Sequence, residues 1–208
     1  MLHQVLVLLP LLVLALASAD LLQNPDFESP PSNLPKDSKS PFVLLDQNNT
    51  IPGWTFEGAV LYVTAGETIS LPSNGHAVLL GEDGRINQTF VANAEYLPYV
   101  LTFTISPGQN HDCLANADIV VSAPDSKGVF SLKQHYGKEA WESYGHYLGS
   151  WGDGEPVNLV TQSQTAESNS SSICWPVLDK LLVKSMPKLV PENRMLISWF
   201  GPSIISFR

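Results

Sequence analysis

Short runs of β-branched and aromatic residues, each ended within a few positions by a turn signal, leave this chain little choice but to build sheets. The runs are 59–63, 76–80, 86–91, 99–105, 117–121, 128–132, 157–161 and 177–183. Between them lie Pro52-Gly53, Ser73-Asn74-Gly75, Glu82-Asp83-Gly84 and Pro107-Gly108, drawn from 14 glycines and 16 prolines. Glycine supplies positive φ and proline removes a ladder donor, so such residues punctuate strands rather than extend them. No segment after residue 19 sustains an apolar repeat of helical period. Strands at this spacing predict an all-β fold, an antiparallel jelly-roll sandwich. Residues 30–49, rich in Pro, Ser and Asp, read as a long loop, and 162–172 as a polar Ser-rich loop. No repeat of fixed period is present, which excludes solenoids and propellers.

The first nineteen residues stand apart. An uncharged apolar run from Val5 to Leu16 stops at Ala17-Ser18-Ala19, just before Asp20. It is too short to span a bilayer, and small residues three and one before the cut suit a signal peptidase. Cleavage after Ala19 is expected, and about 189 residues then remain, enough for one core of ordinary size. Export places Cys113 and Cys174 in an oxidising compartment, where a pair is expected to form a disulfide. That bridge would close a loop of about sixty residues, worth on the order of 4 kcal/mol in the loop-entropy account. A zinc site has too few ligands, since only His111 lies near Cys113. Three sequons, beginning at Asn48, Asn87 and Asn169, fit the same secretory route.

Charge narrows the partners. The formal net charge is −9, and the eleven Lys and Arg residues are scattered. Nucleic acid requires clustered cations to neutralise phosphates, so it is excluded, and an anionic membrane surface is disfavoured for the same reason. No apolar stretch is long enough to span a membrane as a helix.

A family resemblance runs in order through most of the chain. Its pieces are Leu21-Leu22-Gln23-Asn24-Pro25-Asp26-Phe27-Glu28, Ile51-Pro52-Gly53-Trp54, Val60-Leu61-Tyr62-Val63, Gly75-His76-Ala77-Val78-Leu79-Leu80-Gly81 and Ile86-Asn87-Gln88. Tyr99-Val100-Leu101-Thr102-Phe103, Cys113, Trp141-Glu142-Ser143-Tyr144 and Cys174-Trp175-Pro176-Val177-Leu178-Asp179 follow. Together they resemble the first domain of the plant cell-wall family DUF642, whose members are secreted and carry galactose-binding-domain-like jelly rolls. Two positions depart from the family, which usually has Gly where Pro25 and Trp175 stand, so both turns are expected to differ. The division implied is a signal peptide at 1–19, a galactose-binding-like jelly roll at 20–186 and an atypical tail at 187–208. Family members continue into a second domain, so a truncated product is one reading of this chain.

The resemblance also implies functional candidates. Carbohydrate-binding jelly rolls often join their two ends around a structural calcium, for which Glu28 and Asp179 are the candidate ligands; without metal both would accept hydrogen bonds at turns. Sugar binding uses aromatic faces with a few fixed polar groups. Tyr144, His146, Tyr147 and Trp151 lie in a Gly-rich segment read as an exposed loop, and Trp54 is a further candidate. Trp54 and Trp141 also read as buried sheet anchors, and His76, before an apolar run, as a structural histidine.

Catalysis finds less support. No Gly-x-Ser-x-Gly, His-Glu-x-x-His or phosphate-loop pattern occurs, although Asp112 or Asp118 could pair with Glu142 or Asp153. The expectation is a non-enzymatic apoplastic protein of the cell wall, with wall polysaccharide (pectin or cellulose) and pectin methylesterase as partners implied by the resemblance. A glycoside hydrolase or esterase is the rival from another class.

Overall fold

The computed structural model describes residues 20–34, 40–66, 69, 71, 75–93, 97–108, 117–132, 141–164 and 175–186. Cys113 and Cys174 of the expected bridge, Asn169, Asp112, the expected export signal and the expected tail lie outside these residues.

Eleven strands form two antiparallel sheets, and no helix occurs among the described residues. In chain order they are β1 (Phe42–Leu44), β2 (Thr55–Glu57), β3 (Val60–Thr64), β4 (His76–Leu80), β5 (Arg85–Val91) and β6 (Leu97–Pro107). Then come β7 (Ala117–Ala123), β8 (Ser126–Leu132), β9 (Glu142–Trp151), β10 (Pro156–Ser163) and β11 (Pro176–Ser185). One sheet has the order β1-β3-β4-β11-β6-β9 and the other β2-β5-β10-β7-β8. The expected sandwich is what the chain forms.

Alternation drives the packing. Along β5, Ile86 and Phe90 are buried while Thr89 and Val91 are exposed; along β10, Val157, Leu159 and Thr161 are buried between exposed or half-buried neighbours. Each strand thus turns one side to the other sheet, the arrangement that period-two patterning requires. The inner residues make one continuous core that includes Val60, Tyr62, Leu101, Phe103, Ile119 and Leu178.

A second, smaller cluster lies on the outward side of the six-stranded sheet. Val63, Ala77, Leu79 and Val177 are covered there by Ile69 and Leu71, with Trp141 and Trp175 packed against them. This covers the β3-β4-β11 half of that side. Trp141 is therefore an anchor of the outer cluster, and Trp175, at one of the two departures from the family, adds its ring to the same cluster.

Residues 21–29, which form no strand, close one end of the sandwich. Phe27 and Leu22 are buried, and the backbone of the segment is tied down repeatedly. Gln23 exchanges hydrogen bonds with the Gln88 amide, Trp54 Nε1 donates to the Asn24 carbonyl at 3.0 Å, Tyr62 donates to the Phe27 carbonyl at 2.9 Å, and Leu181 N donates to the Pro25 carbonyl at 2.8 Å. Pro25 here serves only as an acceptor, so the missing donor costs nothing.

Glycine is required in the turn between β2 and β3. Gly58 has φ +70, and a Cβ there would stand 2.1 Å from the Asp83 carbonyl oxygen. Backbone atoms cannot yield as a side-chain tip can. Gly58→Ala is expected to cost about 2 kcal/mol or more and to lower Tm by roughly 5 °C, read by thermal melting; an unchanged Tm would mean that the turn is not packed this way.

Candidate functional site

The segment 142–151, expected as a loop, is the edge strand β9 of the six-stranded sheet. Two glycines hid it, because glycine weakens strands in general yet is tolerated at an edge and at a bulge. The bulge is present: β6 pairs Tyr99 with Gly149 and Val100 with Tyr147, leaving Leu148 as the extra residue. Gly149 has φ +146, and a Cβ on it would come within 2.6 Å of the Trp151 ring.

Strand geometry then sorts the candidate ring residues. Tyr144 and His146 turn inward, toward β8. Tyr144 stacks on Phe103 at 5.6 Å between ring centroids and meets Phe130 at 5.4 Å, and His146 meets the Phe130 ring edge at 5.4 Å. Burial pushes the His146 imidazole below its usual pKa. The Tyr144 phenol is pushed up by burial, then by its bond to Glu142 and by the nearby Asp118 charge. Its hydroxyl donates toward the Ser131 carbonyl at 3.0 Å and the Glu142 carboxylate at 2.6 Å. The structure thus brings Asp118 and Glu142 to one tyrosine, with the Glu142 carboxylate engaged as a hydrogen-bond acceptor.

Trp151 and Trp54 are not surface rings. Trp151 is 7 % exposed and packs against Tyr99 at 5.8 Å and Phe90 at 6.2 Å. Trp54 is 4 % exposed and rests on Phe27 at 5.6 Å. Both were candidates for ligand contact, and both instead build the core, because each ring buries more apolar area there than any other placement offers.

Tyr147 remains, at 55 % exposure, on the outward side of β9. The register sets Val100 and Lys184 beside it across β6 and β11, with Gly145, Thr102 and Leu182 in the next outward row and Ser143 beyond. A Cβ on Gly145 would meet nothing within 4 Å, and Thr102, Ser143 and Lys184 are exposed. The Tyr147 hydroxyl lies 3.1 Å from Ser150 Oγ, which restrains the ring. This half of the six-stranded sheet presents one exposed aromatic face and several exposed hydroxyls.

The expected calcium ligands gather at the other end of the sheet. His76 donates its backbone N–H to Glu28 Oε1 at 2.8 Å, and its Nδ1 lies 2.9 Å from Glu28 Oε2. Burial raises the Glu28 carboxyl, but the His76 backbone bond, side-chain bond and charge outweigh it and hold the pKa below the usual value. His76 also stacks on Tyr62 at 5.1 Å, so it is structural as read. Asp179 is 2 % exposed at a bulge of β11, where Lys180 has φ +56, and its Oδ1 accepts the Lys180 N–H at 2.7 Å. Its pKa is raised to about 6, by burial first and also by the Glu28 and Asp26 charges, against the Lys180 backbone bond and charge. Both Glu28 oxygens are engaged by His76, and no group of three or more His, Cys, Asp or Glu among the described residues could hold a metal ion. Asn48 is exposed in a turn and Asn87 half-buried on β5.

Two antiparallel sheets with this strand order define a jelly-roll sandwich of the galactose-binding-like kind. The fold is similar to that of TmCBM61, solved in complex with β-1,4-galactotriose, with a TM-score of 0.52 at 14 % identity, covering 81 % of this chain and all of that one. A CBM22-1 xylan-binding domain from Paenibacillus barcinonensis Xyn10C aligns more loosely, with a TM-score of 0.42 at 11 % identity over 77 % of this chain and 90 % of that one. The chain belongs to the family described as "Protein of unknown function (DUF642)", whose model matches residues 20–184. A relative from Arabidopsis thaliana, "Protein DUF642 L-GALACTONO-1,4-LACTONE-RESPONSIVE GENE 1", is 24 % identical over 174 residues, 80 % of this chain. This chain spans 43 % of that relative's length. Among the described residues no helix is long and apolar enough to cross a membrane.

Proposed function

We propose that this domain is a secreted, non-catalytic module that binds plant cell-wall polysaccharide. The observation that carries the reading is Tyr147, an aromatic face more than half exposed on a sheet surface lined by Thr102, Ser143 and the open space above Gly145. A pyranose presents an apolar C–H side and a rim of hydroxyls. An exposed ring with neighbouring hydroxyl donors matches both. The likeness of the fold to a galactotriose-binding module supports the same reading. Pectin and cellulose are the polymers proposed, and pectin methylesterase is proposed as a protein partner within the wall.

Affinity electrophoresis in gels cast with pectin or galactan, alongside cellulose pull-down, tests this directly. Tyr147→Ala is expected to weaken retention by about tenfold while leaving Tm within a degree or two, since the ring contributes little to the core. Retention that does not change would remove this surface as the site. Release of reducing sugar or methanol from wall polymers by the purified protein would instead favour an enzyme.

A further inference from the structure

The outward side of the five-stranded sheet is built differently from the Tyr147 face. Reading across the strands at one height, the register aligns Thr55, Asn87, Val160, Ser122 and Lys127. The adjacent row is Glu57, Arg85, Gln162, Val120 and Val129. Neither row holds an aromatic ring. Three valines lie there instead: Val160 is half-buried, Val120 buried at 7 % exposure, and Val129 55 % exposed on β8, an edge strand of this sheet.

Asn87 opens the sequon Asn87-Gln88-Thr89 within this surface. Alternation turns Gln88 to the other side, where it is 7 % exposed and bonded to Gln23, and leaves Asn87 facing out. Beyond the sheet ladder, the Asn87 main-chain carbonyl accepts the Thr55 hydroxyl at 3.3 Å; its side-chain amide bonds no other described residue. A sugar attached there would break no bond among the described residues.

We infer that Asn87 carries an N-linked glycan whose first sugars lie across β10, β7 and β8 and close this face to outside polymers. The inference rests on the secretory passage proposed above, since the attaching enzymes act only there. From β5 to β8 is three strand spacings, about 14 Å, within reach of roughly the first three or four sugars. The C–H sides of those sugars would take Val129 and the half-buried Val160 further out of water. They would also lie over β8, an edge strand of this sheet.

The test uses the full chain expressed through a eukaryotic secretory pathway. Peptide mapping reads occupancy at Asn87, and hydroxyl-radical footprinting of Val129 with acylation of Lys127 reads coverage. Secreted protein is compared with Thr89→Ala and with the unmutated glycoprotein trimmed enzymatically to a single sugar. The expected result is an occupied Asn87, with labelling of Val129 and Lys127 rising several-fold after trimming or substitution and labelling of Tyr147 unchanged. An unmodified Asn87 in secreted protein whose Asn48 carries sugar would overturn the inference and leave the secretion reading standing. An occupied Asn87 with unchanged labelling would overturn it equally. A chain retained inside the cell with no sugar at any of the three sequons would sink the secretion reading, and the inference with it.

Discussion

Replacing Trp151 by Ala is expected to destabilise the domain by about 4 kcal/mol, as removal of a buried indole does when its neighbours cannot close the space. The ring is held between Tyr99 on β6 and Phe90 on β5, so it bridges the two sheets. Collapse around the hole would require the sheets to approach, which their other side chains oppose. For a domain of this size the loss corresponds to a Tm lower by roughly 10 °C. Circular dichroism melting of Trp151→Ala beside Tyr147→Ala separates the two roles: the first should lose stability, and the second only polymer retention. A Trp151 variant that melts like the parent would show that the ring is not between the sheets.

Asp179→Asn is expected to act in the opposite direction and raise stability near pH 7. The Asp179 carboxyl rises from 3.8 to about 6 in the folded state because burial, and the Glu28 and Asp26 charges, disfavour its ionised form. An acid whose folded pKa lies above its unfolded one favours the fold when protonated. Its favourable contribution is complete below about pH 4 and is lost as pH rises through about 6, a span worth about 3 kcal/mol. Asparagine keeps the acceptor for the Lys180 N–H and removes the charge. The variant should therefore match the parent below pH 4, exceed it above pH 6, and lose the slope between, as measured by urea unfolding across pH 3.5–7.5. Lower stability of the variant at pH 7, together with a rise in parental Tm on adding calcium, would show instead that a cation compensates the carboxylates at this end of the sheet.

Eight strands could be read from their residues because β-branched and aromatic runs there end at Pro, Gly or Asn. The three that escaped each lack that signature. β1 is three residues long inside a Pro- and Ser-rich stretch, β2 is an equally short edge strand, and β9 carries two glycines. Yet β9 does alternate: Tyr144, His146 and Leu148 go to the inner side, and Ser143, Gly145 and Tyr147 to the outer. A period-two reading of that stretch would have singled out Tyr147 and set the other rings aside. Trp54 could not be placed by periodicity, since it precedes its strand and its burial depends on Phe27, twenty-seven positions earlier. The pairing of His76 with Glu28 joins residues 48 apart, a distance at which a single sequence carries no local signal.

The position of β11 has a consequence for how the protein is made. It is the last of the described strands to be synthesised, yet it lies between β4 and β6, and its Leu181 N–H donates to the Pro25 carbonyl of the opening segment. Until Pro176–Ser185 has emerged during translation, the six-stranded sheet exists only as two separate halves, each with a raw border, and the Pro25 carbonyl of the opening segment lacks its Leu181 donor. Completion of the six-stranded sheet must therefore await Pro176–Ser185. A ribosome that stalls ahead of Pro176 would release a nascent product prone to aggregate through those borders.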